Sequence, residues 1–123
     1  MNDERTMRIG EVAERTSLSL RTLRHYEDMG LVEPSGRTDG GFRLYTEKDV
    51  ERLLIIRRMK PLGYSLDEMR DLLALVDALA AAPQDVALRS QLEDIREGVD
   101  LRRQKLTVQL AMADEFVREL GRL

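Results

Sequence analysis

Arg21, Thr22 and Arg24 stand close together in a segment that starts after Ser19 and stops at Gly30. A helix that enters the major groove of a duplex needs long polar side chains on its exposed face, and these three residues supply such a face. An arginine can bridge guanine O6 and N7, a contact worth about 1–3 kcal/mol of discrimination when well placed. The plain alternative is that Arg21 and Arg24, at i and i+3, are solvated surface charges. The chemistry on offer is therefore hydrogen bonding and charge, and bond-making chemistry lacks its parts. There is no cysteine and only one histidine, His25. Disulfides, thiolate metal sites, iron–sulfur clusters and cysteine nucleophiles are excluded together. A catalytic triad or a zinc hydrolase site lacks its groups as well. No enzymatic activity, cofactor or metal is expected.

The elements that must carry these side chains are short helices. Ile9, Val12 and Ala13 make one apolar stripe, which predicts a helix to Thr16. Thr16-Ser17-Leu18-Ser19 breaks it. Ser19 is a good N-cap for a second helix running to about Met29, and Gly30 ends it as a C′ glycine does. Two short helices joined by a tight turn read as a helix-turn-helix. Asp39-Gly40-Gly41 is a tight-turn sequence flanked by Arg37 and by Phe42-Arg43-Leu44-Tyr45, which predicts a β-hairpin of two short strands, a wing. Thr46-Glu47-Lys48-Asp49 and Ser65-Leu66-Asp67-Glu68 read as capping boxes opening two more helices. The first should stop near Lys60, because Pro61 disfavours the helical conformation before it. Leu66, Met69, Leu72, Leu73, Val76 and Leu79 make the second amphipathic.

Residues 80–87, with Pro83 inside, read as a connection. From Leu88 the apolar spacing becomes regular. Leu88, Leu92, Ile95, Val99, Arg102, Leu106, Gln109, Ala113, Phe116, Leu120 and Leu123 alternate steps of four and three, a heptad seam with two polar interruptions. So narrow a stripe on so long a helix calls for a partner helix from a second subunit; folding back on its own domain is the simpler rival. Arg102 and Gln109 would then set register or direction, and the spacing leaves parallel and antiparallel pairing open. The domains expected are thus 1–79, a connection 80–87 and a dimerisation helix 88–123. The fold class is mainly α.

The chain has 123 residues, 42% hydrophobic and 35% charged, with three tyrosines, two phenylalanines and no tryptophan. Many charges and few aromatics favour helices with solvated faces over a β-sandwich. No apolar run suits a membrane span or a signal-peptide core, so a cytoplasmic location is expected. Net charge is −3, and residues 1–64 carry 12 basic and 11 acidic side chains. The balance alone does not point to nucleic acid; where the arginines sit must do so.

Three separated motifs carry a resemblance. Met7-Arg8-Ile9-Gly10-Glu11-Val12-Ala13 through Thr22-Leu23-Arg24-His25-Tyr26-Glu27-Asp28-Met29-Gly30-Leu31 is the first. Gly41-Phe42-Arg43-Leu44-Tyr45-Thr46 and Leu62-Gly63-Tyr64-Ser65-Leu66-Asp67-Glu68 are the others. In this order, from about Met7 to Leu79, they resemble the MerR family of bacterial transcriptional regulators. The resemblance implies a winged helix-turn-helix, two further helices and an antiparallel coiled coil that makes a homodimer. It implies DNA contacts at Arg21, Thr22, Arg24 and Tyr26 in the second helix. It also implies contacts at Arg37, Phe42, Arg43 and Tyr45 in the wing and at Lys60 before the fourth helix. Packing beneath the hairpin is the competing role for Phe42 and Tyr45, and simple exposure for Lys60. Arg43 has no obvious core role.

This sequence departs from the family pattern at three places. His25 replaces a usual aromatic residue, and a satisfied structural histidine is favoured over a pH-sensitive DNA contact. Ser17 replaces a frequent turn glycine. Phe42 replaces a common tyrosine.

The resemblance further implies a dimer on a pseudo-palindromic promoter operator, with RNA polymerase nearby and the promoter bent and untwisted. Deformation of that kind costs on the order of 1–6 kcal/mol. Without cysteine, thiolate sensing of metals is excluded. The chain ends inside the heptad, so a drug-sensing domain after the coiled coil is not expected. A small organic effector, or none, remains; Met69, Leu73, Val76 and Leu79 could line a pocket, with ordinary core the favoured role. A protein-interaction module is the rival class, and it would leave an Arg43→Ala variant unaffected.

Overall fold

A computed structural model describes residues 5–123. In chain order it contains β1 (Met7–Arg8), α1 (Ile9–Thr16), α2 (Leu20–Asp28), β2 (Gly36–Arg37), β3 (Arg43–Tyr45), α3 (Glu47–Met59), α4 (Leu66–Ala81) and α5 (Val86–Leu120), with a 3₁₀ turn at Lys60–Leu62. They form two compact units, one ending at Ala74 and the other spanning Leu75–Leu123.

Local chemistry sets the boundaries of the first unit. Ser19 caps α2, its hydroxyl accepting from the Thr22 N–H at 3.0 Å, which satisfies one of the donors a helix start leaves orphaned. Gly30 follows α2 with φ +75, in the left-handed region where glycine is free of a Cβ penalty. Thr46 and Asp49 form a reciprocal capping box at α3, and Ser65 and Glu68 form a second at α4. The Thr46 box is reinforced by Ser35, whose hydroxyl donates to Asp49 Oδ2 at 2.8 Å. That bond accounts for a nearly buried carboxylate. Pro61 sits inside the 3₁₀ turn and closes α3 where the sequence predicts.

The hairpin is present, with Gly36 opposite Leu44 and Arg37 opposite Arg43 in antiparallel register. It gains a third strand that the sequence reading does not contain. β1 pairs antiparallel with β3, placing Met7 opposite Tyr45 and Arg8 opposite Leu44, so the strand order is β1-β3-β2. The core joins this sheet to the helices through Met7, Val12, Leu23, Tyr26, Leu31, Val32, Tyr45, Val50, Leu53, Ile56, Met59, Met69 and Leu73. Met69 and Leu73 therefore belong to the core, the role favoured for them. Fully burying one such aliphatic side chain is worth about 1.5–3 kcal/mol.

α4 continues to Ala81 and α5 begins at Val86, so the link between them is residues 82–85, shorter than the connection read from the sequence. Asp85 caps α5 by accepting from the Leu88 N–H at 3.0 Å. The α5 helix has 35 residues and at 1.5 Å per residue is about 50 Å long. Leu88, Leu92, Ile95 and Val99 are half-buried. Beyond them the seam is open: Leu106 is 42% exposed, Phe116 60% and Leu120 53%. Ala113 is exposed too. Among the described residues no helix is long and apolar enough to cross a membrane.

Candidate nucleic-acid interface

The second helix of the helix-turn-helix presents the side chains singled out above. Arg21 and Arg24 are exposed, and neither forms an ion pair among the described residues. Thr22 is half-buried and accepts from the Ser19 hydroxyl at 2.9 Å, so its oxygen is fixed beside the helix start. The opposite face of α2 is pinned by Leu23 and Tyr26, 4% and 2% exposed. Burial of that face leaves the arginine face outward, as the i, i+3 spacing requires.

Glu27 ties the wing to this helix. Its carboxylate accepts from Arg43 Nε at 2.5 Å and from the Tyr45 hydroxyl at 3.2 Å. Arg43 thus has an intramolecular role that its sequence context does not reveal. Burial, together with the nearby Glu27 carboxylate, pushes the Tyr45 hydroxyl up to about 12, so it remains a donor. Arg37 holds the wing's own turn, donating to the Gly41 carbonyl at 3.1 Å. Gly41, at φ +82, takes the left-handed position of that turn.

Phe42 projects from the wing, 59% exposed. The Arg8 guanidinium of β1 lies over its ring, 4.7 Å from the centroid, within cation–π range. A recess of about 150 Å³ lies here, lined by Arg8, Ile9, Arg24, Gly41, Phe42 and Arg43. Arg24, Phe42 and Arg43 are expected contacts; Arg8 is not among them. No local signal marks Arg8, because only the β1–β3 pairing brings it to the wing.

A second recess, of about 310 Å³, is lined in part by Lys60, His25, Tyr26, Tyr64 and Ser65. Lys60 is exposed. The Tyr26 hydroxyl is buried and has no hydrogen-bond partner among the described residues. Tyr26 and Tyr45 both belong to the core, so neither offers a ring face to a duplex. His25 is exposed, with its ring 6.0 Å from that of Tyr26. Its position on α2 lies outside the buried Leu23–Tyr26 stripe.

Sequence comparison settles the lineage. A profile described as MerR HTH family regulatory protein matches residues 7–75, and one described as MerR, DNA binding matches residues 50–112. This chain belongs to the MerR family. It is similar to the HTH-type transcriptional regulator CueR of Yersinia pestis, 38% identical over 118 residues, covering 94% of this chain and 84% of that protein. It is also similar to the HTH-type transcriptional regulator HmrR of Rhizobium leguminosarum bv. viciae, 42% identical with 79% of each chain covered. Among solved MerR structures, the regulator PbrR691 from Ralstonia metallidurans CH34 in complex with lead(II) aligns with a TM-score of 0.60 and 33% identity, covering 93% of this chain and 82% of that one. HiNmlR, a MerR family regulator bound to promoter DNA, aligns with a TM-score of 0.66 at 24% identity, covering 92% and 79%, and shares the fold. The MerR fold inferred from three motifs is present, and its relatives are transcriptional regulators rather than enzymes. The protein is a DNA-binding transcriptional regulator of the MerR type.

Proposed function

We propose that the protein binds a pseudo-palindromic promoter operator as a homodimer and distorts it, with α2 in the major groove and the wing alongside. The observation that carries this reading is the Glu27 clamp. It locks the wing to α2 while Arg21 and Arg24 stay free of carboxylate partners on the outward face. Unpaired guanidiniums held on a rigid frame have backbone phosphates and guanine edges as their natural acceptors.

Arg21, Thr22 and Arg24 take the groove, and Arg37, Phe42 and Arg43 take the flanking backbone. Lys60, exposed at the mouth of the second recess, takes a further backbone phosphate, while Tyr26 supports α2 from the core. Tyr45 acts through Glu27 as a positioning residue.

The dimer forms through α5, by antiparallel pairing of Leu88, Leu92, Ile95, Val99, Leu106, Ala113, Phe116 and Leu120 with their copies. The exposure of Leu106, Phe116 and Leu120 in the single chain supports this: a stripe of that length left in water costs about 25 cal/mol per Å² of apolar surface. With no cysteine in the chain, any effector acts without thiolate ligands.

Selection of bound sequences from random duplex DNA, followed by footprinting, tests the reading. Two half-sites related by twofold symmetry, about one helical turn or a multiple of it apart, are the expected result. Recovery of no preferred sequence by a folded protein would sink it.

A further inference from the structure

Three arginines line one recess at the junction of helix and wing. Arg8, Arg24 and Arg43 line the same recess around Phe42. Arg43 is neutralised in part by Glu27, whereas Arg8 and Arg24 have no carboxylate partner among the described residues. Gathering like charges is unfavourable unless an anion joins them. Some arginines elsewhere are matched, as in Arg15 with Glu47, Arg70 with Asp67 and Arg103 with Asp100, but those stand singly rather than around a shared recess.

The position of Arg8 is set twice. Its backbone pairs with Leu44 in the β1–β3 ladder, and its guanidinium is stacked on the Phe42 ring. A guanidinium fixed in this way loses little freedom when it binds, and stacking leaves its N–H edge available to an acceptor. Its side chain makes no cap hydrogen bond to α1, so the fold does not explain the charge.

We propose that Arg8 is a DNA-contact residue. Stacked on Phe42, it completes with Arg24 and Arg43 a recess that takes one backbone phosphate of the duplex where wing and α2 meet. This rests on the DNA-binding reading given above. The Arg8–Phe42 pair also makes β1 part of the interface: the strand carries one wall of the phosphate site, and Phe42 sets the guanidinium's height above the duplex.

The test uses the full chain and an operator recovered by selection. Binding is measured by fluorescence anisotropy between about 0.05 and 0.3 M salt, where each phosphate contact contributes about 0.9 to the log–log slope. Arg8→Gln, which keeps length and removes charge, should flatten the slope by about two per dimer and weaken binding at least tenfold at about 0.1 M salt. Arg8→Lys should retain the wild-type slope. Unchanged thermal melting of both variants shows that the loss is at the interface. An Arg8→Gln slope equal to that of the wild type overturns the proposal while leaving the DNA reading intact. Failure of the wild type itself to bind duplex DNA at low salt overturns both.

Discussion

Arg43 of the wing and Glu27 of the second helix are joined through Nε and Oε1 at 2.5 Å, and Tyr45 adds a 3.2 Å hydrogen bond to the other carboxylate oxygen. The Glu27 side chain is 14% exposed, so this is a partly buried, charge-assisted contact that relates helix and wing as one body. Glu27→Gln should cost about 1–2 kcal/mol of stability, because it weakens a bond to a charged group that water replaces only in part. It should also narrow the ratio of operator to random-sequence affinity, since the wing can then shift against α2. Denaturant melts and competition with scrambled duplex measure the two effects. A Glu27→Gln variant with wild-type stability and wild-type discrimination would show that the clamp is ornamental.

Burial of the Tyr45 hydroxyl, with the same carboxylate beside it, makes stability depend on alkaline pH. The Tyr45 hydroxyl titrates at about 12 in the fold against 10 ordinarily. Its contribution is complete below pH 10, where folded and unfolded states both hold the proton. Between 10 and 12 the unfolded chain releases the proton first, so stability falls as pH rises, by of order 2 kcal/mol. Tyr45→Phe should be less stable at neutral pH and should lose this limb of the profile. Chemical denaturation at stepped pH reads it, and an identical alkaline limb in the Tyr45→Phe variant would place its origin elsewhere.

Ser17 adopts φ +56, the only residue other than glycine with positive φ among those described. The left-handed conformation costs a residue with a Cβ about 1–2 kcal/mol, and glycine's greater chain entropy returns about 0.5–1 of that. Ser17→Gly should therefore raise stability by about 0.5–1 kcal/mol with operator affinity unchanged. A lowered melting temperature would mean that the serine side chain holds the turn in a way its backbone does not show.

The exposed seam on α5 predicts association. Replacing Leu106 by Glu puts a charge in the middle of the stripe, where burial of an unpaired carboxylate is costly. The variant should sediment as a monomer at concentrations where the wild type is a dimer, while the first unit keeps its helical content. Its affinity for a full operator should drop to near that for a half-site. A wild-type chain that sediments as a monomer would remove the reason for the stripe.

Most helices could be read from the chain because their signals are local. Ser19, Thr46 and Ser65 bond within three residues of themselves, Pro61 stops α3 by its fixed ring, and Gly30 stops α2 by its freedom to take positive φ. The heptad steps likewise need nothing but α-helical periodicity to become visible.

What the sequence could not show was decided by contacts between residues far apart in the chain. Two residues, Met7 and Arg8, carry no period and become a strand only because Leu44 and Tyr45 offer backbone partners. Glu27 is one more charge on a helix until folding places Arg43 and Tyr45 around it. Arg8 becomes part of the basic face by the same route. Side-chain type and spacing along a helix report which face is wet and which is dry; which distant groups complete a charge or a ladder depends on how the elements pack in three dimensions.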